Sequence, residues 1–351
     1  MSRTAKLASS LALGALLALA APLAAGQAAD PEVTLKLHHF LGPKAPAHAQ
    51  MLAPWAERVE AASNGRLKIE IYPSMSLGGK PPQLIRQVRD GVVDIVWTVN
   101  GYSAGLFPRS EVFELPFVHT NDAVATNLAM AEMFDEHLAE EYEGIKVLAL
   151  HVHAGQGIHM VDSPVRSADD LEGKKMRIPT RTGAWILEAL GASPVGMPVP
   201  DLPQALSKKV VDGALIPWEI IRPLKVQELT KYQIEGADSV RFGTTVFQIS
   251  MNQGSWDKLP DDLKAVVEAE SGLDWIREIG EVWTKAEAGG LQAALDAGNE
   301  HIQIDEAGLE GFRSRLEPVV DRWIAEVGEK GIDGQALVEA ARAAIAKHSA
   351  R

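Results

Sequence analysis

The chain has 351 residues, 46% of them apolar and 23% charged, the mix of a globular protein of about two domains. It has no cysteine, which excludes disulfides, thiolate metal sites, cysteine nucleophiles and a lipidated N-terminal cysteine. Its 47 acids against 34 bases give a formal charge of −13, the wrong sign for a nucleic-acid or anionic-membrane partner.

Arg3 and Lys6 precede the apolar run Leu11–Ala21, then Pro22, then Gly26 and Ala28 in a small-x-small pattern. This is the layout of a secretory signal peptide spanning residues 1–28. The uncharged stretch Leu7–Ala25 is barely long enough to span a bilayer, and it is rich in alanine and broken by Pro22. Removing 1–28 takes away two bases and no acid, so the charge moves from −13 to −15. The mature protein is expected to be soluble and periplasmic.

Strands are then predicted at Val33–His38 and Leu67–Tyr72, with a helix at Ala47–Ala62 between them, capped by Asn64-Gly65. A helix over Pro81–Asp90 ends at Gly91, and Val92–Val99 reads as a strand buried on both faces. A helix at Asp122–Glu141 and a strand at Lys146–His151 complete a βαβαβ pattern, which implies a parallel sheet. A second such set follows. It has strands at Gly155–Val161, Lys174–Ile178 and Val210–Ile216, with helices around Trp185–Leu190 and Pro203–Lys208. The motif Val-Val-Asp opens a strand twice, at 92–94 and 210–212, a hint of two similar lobes. Helical spacing then runs from Pro260 to Ala297, with Gly272 and Gly289-Gly290 as places to bend or split. A helix of that length exceeds one small lobe and should cross both.

No GxSxG elbow, Walker loop, HExxH or strand-linked GxGxxG occurs, so hydrolase, NTPase and dinucleotide readings lose their usual supports. The pairs Glu140-Glu141 and Asp169-Asp170 read as solvated surface. Ten histidines raise a metal site as an alternative, with His151 and His153 on one strand face and His38, His39 and His159 at strand ends. Arg177 interrupts the apolar strand Met176–Pro179. A charge there needs a partner, either an acid of the protein or the carboxylate of a ligand, which a guanidinium binds as a fork. Trp97 and Trp218 follow the two Val-Val-Asp motifs. Ligands bind beyond the carboxyl ends of strands in open α/β sheets, so the two rings are either core or cleft walls.

Five segments carry a resemblance over nearly the whole mature chain: SNGRLKIEIYPSMSLGG at 63–79, VRDGVVDIVW at 88–97, FPRSEVFELPF at 107–117, DLEGKKMRIPT at 170–180 and LGASPVGMPVPDLPQALSKKVVDG at 190–213. In their order and spacing the chain resembles the DctP-type substrate receptors of TRAP (tripartite ATP-independent periplasmic) transporters. The resemblance implies an α/β fold of two lobes with a ligand cleft between them and a long helix crossing both. Lobe I would be 29–154 plus 243–282, lobe II 155–242 plus 283–351, and the helix about 260–297. It implies a receptor without enzymatic activity, which is expected to be a monomer with no cofactor and no metal. The receptor closes around a small organic acid and delivers it to membrane permease subunits.

The family's ligand-clamping arginine falls on Arg177. Other pocket positions fall near Phe40 and His39, on Thr98 to Asn100, near Gln156, Gly157 and His159, on Pro179-Thr180, and at Ile216 beside Trp218 and Glu219. Members that bind sialic acid carry a second arginine where this chain has Gly157, a glutamate near Val99 and an asparagine near Ile216. Members with metal-assisted binding place an acid and a tryptophan together, which Trp218-Glu219 matches only in reversed order. The less polar positions here, with Phe40, Trp97 and Trp218, point to an aromatic or otherwise apolar monocarboxylate. A sugar acid is the alternative, with Gln156, Asn100 and His159 serving its hydroxyls.

Overall fold

The structure, a computed structural model, describes residues 30–349; the signal peptide read at 1–28 lies outside them. Two sheets form the cores of two lobes. The first has the order β2-β1-β3-β10-β4, from β1 (Val33–His39), β2 (Leu67–Tyr72), β3 (Ile95–Val99), β4 (Ile145–Val152) and β10 (Val246–Asn252). The second has the order β11-β9-β5-β8-β6-β7, from β5 (Gly157–Met160), β6 (Lys175–Ile178), β7 (Ser193–Gly196), β8 (Gly213–Ile216), β9 (Tyr232–Gly236) and β11 (Glu300–Ile304).

The sheets are mixed, a correction to the purely parallel expectation. In the first, β10 runs antiparallel to β3 and β4; in the second, β5 runs antiparallel to β8 and β9. These two strands follow the points where the chain passes from one lobe to the other. They need no helical crossover, so the alternation of strands and helices along the sequence does not reveal their direction. The two crossings lie side by side: Gln156 N–H donates to Gly243 O at 2.8 Å, and Phe242 N–H donates to Gln156 O at 3.0 Å.

Helices α1 (Ala53–Ala62), α2 (Leu84–Arg89) and α3 (Ala123–Met133) belong to the first lobe, and α4 (Arg181–Ala189), α5 (Leu202–Ser207) and α6 (Ile221–Leu224) to the second. The helix read from Ala47 starts as a π-helical turn, Ala47–Leu52, and buries Trp55 and Val59. That read over Asp122–Glu141 is capped by Asp122, whose carboxylate accepts Ala125 N–H at 2.9 Å, and loses regular α geometry after Met133.

The Val-Val-Asp repeat is a structural repeat, although its first residues are not strand. Val92 and Val210 are exposed, while Val93 and Val211 are buried. Val92 N–H and Val210 N–H reach back to Gln87 O and Ala205 O, closing the preceding helices at 2.9 Å each. Asp94 and Asp212 each accept a backbone N–H across the sheet, from Lys36 and Lys175, at 2.8 Å. The strands proper begin only after these turns.

Toward the C-terminus come α7 (Gln253–Asp257), α8 (Asp261–Glu270), α9 (Leu273–Asp296), α10 (Glu306–Gly328) and α11 (Gly334–Ser349). The helix expected over 260–297 is therefore two, broken at Ser271-Gly272, while Gly289-Gly290 stays helical. At 24 residues, about 36 Å, α9 contacts both lobes. Side chains are absent where it presses hardest. A β-carbon on Gly280 would sit 2.7 Å from the Val124 backbone of the first lobe, and one on Gly290 would overlap the Trp218 carbonyl of the second. α10 packs on α4, whereas α11 returns to α3. The division at residue 283 put everything beyond it in the second lobe; for α11 the packing is with the first. Among the described residues no helix is long and apolar enough to cross a membrane.

Candidate functional site

Between the lobes lies a cavity, at the kind of domain interface where small-molecule sites are found. From the first lobe come Phe40 after β1, Trp97 and Val99 on β3, Tyr102 on the turn that follows, Phe247 on β10 and Trp283 on α9. From the second come Arg177 and Pro179 at the end of β6, Val199, the segment Leu215–Pro217 ending β8, then Glu219 and Ile220. His153, Gln156 and Thr245 sit on or beside the two crossing segments.

The first-lobe wall is a set of rings. Phe40 stacks on Trp97 at 4.8 Å and 12°, Trp97 on Phe247 at 5.2 Å and 1°, and Phe247 on Trp283 at 5.7 Å and 22°. Behind them His151 stacks on Phe247 and accepts the Trp97 indole N–H at 2.8 Å, which ties the wall to the core.

Arg177 enters from the opposite side. Its side chain is 2% exposed. Nε donates to Met197 O at 3.0 Å, Nη2 has no partner, and the Tyr102 hydroxyl lies close by. Among the described residues no acid forms an ion pair with it. Burial draws its pKa below the ordinary arginine value, and Tyr102 partly offsets this. A buried, unpaired guanidinium costs several kcal/mol, which an anion in the cavity would relieve.

The other polar groups are mostly held. Gln156 Nε2 donates to Thr245 Oγ1 at 2.8 Å, and Tyr102 Oη accepts Val199 N–H at 2.9 Å, a bond between lobes. His153 Nδ1 accepts Gly155 N–H at 3.0 Å. Burial keeps this imidazole neutral, well below its usual pKa, so its proton sits on Nε2. Glu219 is 5% exposed and its Oε2 has no partner; burial first, then the charge of Glu287, pushes its pKa well up. The lobes are in contact around the cavity. Gly101 has no room for a β-carbon beside Thr180, and Arg181 of α4 clasps Glu111 with two 2.6 Å bonds.

Of the site residues read from the sequence, Phe40, Trp97, Gln156, Arg177 and Glu219 line this cavity. The other five do not. His39 bonds His48 at 2.9 Å. Asn100 is consumed by Tyr142 and Gln248, both at 2.6 Å, and does not face Arg177. His159 is held by Gln233 and by Ile216 O, and burial lowers its pKa to about 4. Thr180 caps α4 through Gly183 N–H at 3.1 Å. Trp218 turns away to donate to Glu235 at 3.0 Å and meets His159 edge-on. His39 and His159 lie on strands, where period-two alternation sends a side chain to the other face, whereas Asn100, Thr180 and Trp218 lie on turns or a helix cap just past a strand, where that alternation no longer sets the direction. As for a histidine metal site, among the described residues no three His, Asp or Glu side chains converge.

Tyr102, His153, Thr245, Phe247 and Trp283 were missed as site residues. Phe247 and Trp283 carry no local signal, since β10 and α9 bring them in from the C-terminal third. His153 could have been found from its place two residues beyond His151, the feature that raised a metal reading instead.

The comparisons agree with this architecture. A receptor from Rhodoferax ferrireducens, a TRAP solute-binding protein with copurified benzoate, is 42% identical, with 90% of this chain and 98% of that one covered and a TM-score of 0.88. A marine metagenome TRAP solute-binding protein specific for aromatic acid ligands, crystallised with 3-hydroxybenzoate, is 44% identical, with 91% and 99% covered and the same TM-score. A Bordetella bronchiseptica TRAP periplasmic solute-binding protein with bound (R)- and (S)-mandelate is 25% identical, with 90% and 99% covered and a TM-score of 0.83. The DctP family, described as bacterial extracellular solute-binding protein, family 7, matches residues 37–326. The chain belongs to the DctP family of solute-binding proteins and is a substrate receptor of the TRAP type.

Proposed function

We propose that this chain is the periplasmic receptor for a small aromatic monocarboxylate, exported with residues 1–28 removed, acting as a monomer and passing its ligand to TRAP permease subunits. One observation carries the reading: a buried guanidinium, with no acid paired to it among the described residues, lines a cavity walled by stacked rings. The carboxylate forks onto Arg177 of the second lobe while the ring continues the Phe40–Trp97–Phe247 stack of the first. Only the closed arrangement makes both sets of contacts, so binding stabilises closure by their sum. Benzoate, 3-hydroxybenzoate and mandelate in the three similar proteins support this ligand class.

The test is titration calorimetry of the purified mature protein with benzoate, glucuronate and succinate. Benzoate is expected to bind and to raise the melting temperature, by mass action, well above the other two. Binding of glucuronate with no response to any aryl acid sinks the reading in favour of sugar acids.

A further inference from the structure

Three buried side-chain atoms of residues lining the cavity lack partners among the described residues, and their chemistries differ. Two, Nη2 of Arg177 and Nε1 of Trp283, can only donate. The third is Oε2 of Glu219, on the short turn after β8. Other polar side chains that line the space are each held through one atom: Gln156 by Thr245, Tyr102 by Val199, His153 by Gly155. An unmatched polar atom in a dry site costs free energy until something fills its valence, so the orphans outline the ligand's polar groups, and Glu219 is the acceptor among them.

A carboxylate satisfies Arg177. A second carboxylate cannot satisfy Glu219, because among the described residues Arg177 is the sole Lys or Arg lining the cavity, and Glu287 stands behind Glu219. A neutral group that can both donate and accept fits there, and on an aromatic ring that group is a hydroxyl. We propose that Glu219 is a specificity-determining residue that hydrogen-bonds a ring hydroxyl, so that the preferred ligand is a hydroxylated aromatic monocarboxylate. This deepens the reading given above and rests on it. The raised pKa of Glu219 agrees: a carboxyl that keeps its proton offers an O–H donor beside its carbonyl acceptor and adds no charge to repel the bound anion.

Calorimetry with benzoate and with 2-, 3- and 4-hydroxybenzoate tests this on wild type, Glu219→Leu and Glu219→Gln. One hydroxy isomer is expected to bind wild type about tenfold or more tighter than benzoate, since a site built to bond a hydroxyl rejects the analogue that lacks it. In Glu219→Leu that preference should collapse to within about twofold; in Glu219→Gln, which retains a donor and an acceptor, it should persist. Benzoate binding as tightly as every hydroxy isomer overturns the inference and leaves the aromatic-acid reading standing, as does a preference that survives in Glu219→Leu. Failure of all four aryl acids to bind overturns that reading and takes this inference with it.

Discussion

The two walls of the cavity are built on opposite plans. The first lobe contributes rings that belong to its own core: Trp97 is fully buried, stacked with Phe40 and Phe247 and bonded to His151. The second contributes polar groups left incomplete by the fold, Arg177 and Glu219. Apart from the unpartnered Trp283 indole N–H, one wall is thus finished without a ligand and supplies surface and shape. The other is finished only by a ligand and supplies orientation. A molecule with an apolar ring and one charged end matches the pair.

The largest effect should come from removing the anchor of the unfinished wall. Arg177→Ala is expected to weaken benzoate binding by about 2–5 kcal/mol, the scale for losing one partner of a buried charge pair, as read by calorimetry. An affinity within threefold of wild type would dissolve the contrast between the walls.

Acid stability gives the next effect and separates the lobes. Burial lowers the pKa of His39 and His151 to about 3 and of His119 and His159 to about 4. The unfolded chain takes up these protons near 6.5, so each histidine removes stability as pH falls from there toward its folded value. Burial also pushes Glu114, Glu141 and Glu287 up to about 7. Those three bind protons in the fold that the unfolded chain gives up above 4.5, so each adds stability as pH falls from 7 to 4.5, and nothing further below. Between pH 6.5 and 4.5 the three carboxyls offset three of these four histidines, which leaves a net loss of about 1.4 kcal/mol per pH unit. Below that the histidines act alone, at about 1.4 kcal/mol per pH unit for each one still titrating. Melting temperature should fall gently from pH 6.5 to 4.5 and then drop steeply. With His39, His119 and His151 all in the first lobe, hydrogen exchange at pH 4 should show that lobe opening first. A decline as steep above pH 4.5 as below it contradicts the balance.

Phe40→Leu probes the finished wall. Loss of a stacked ring should reduce the preference for benzoate over cyclohexanecarboxylate by about 1 kcal/mol, roughly fivefold, while Arg177-dependent binding persists. An unchanged ratio in competition binding means the ligand ring does not lie on this stack. The smallest change is Tyr102→Phe, which deletes the bond to Val199 across the cleft. About 1 kcal/mol of closed-state stability should be lost, visible in stopped flow as dissociation about fivefold faster with association little altered. A change confined to association points instead to a role on the way in.

What the sequence disclosed follows the same division. Arg177 stood out because a guanidinium inside Met-Arg-Ile-Pro conflicts with its apolar neighbours, and such a conflict is visible locally. The helices and parallel strands were legible through periodicity, down to a break at Gly272. Asn100 was misread because the groups that consume it, Tyr142 and Gln248, lie 42 and 148 residues away. Phe247 and Trp283 were missed for the same reason. The antiparallel strands β5 and β10 were illegible in direction, since what orients them is the passage between lobes.

The tie between Trp97 and His151 restricts how this receptor can diversify. A ring that serves the pocket and the packing of its own domain cannot be exchanged without unsettling β3 and β4 together. New substrate preferences are therefore easier to reach by changing the turn after β8, where Glu219 lies, than by rebuilding the aromatic face, and descendants of this scaffold should keep the rings and vary the turn.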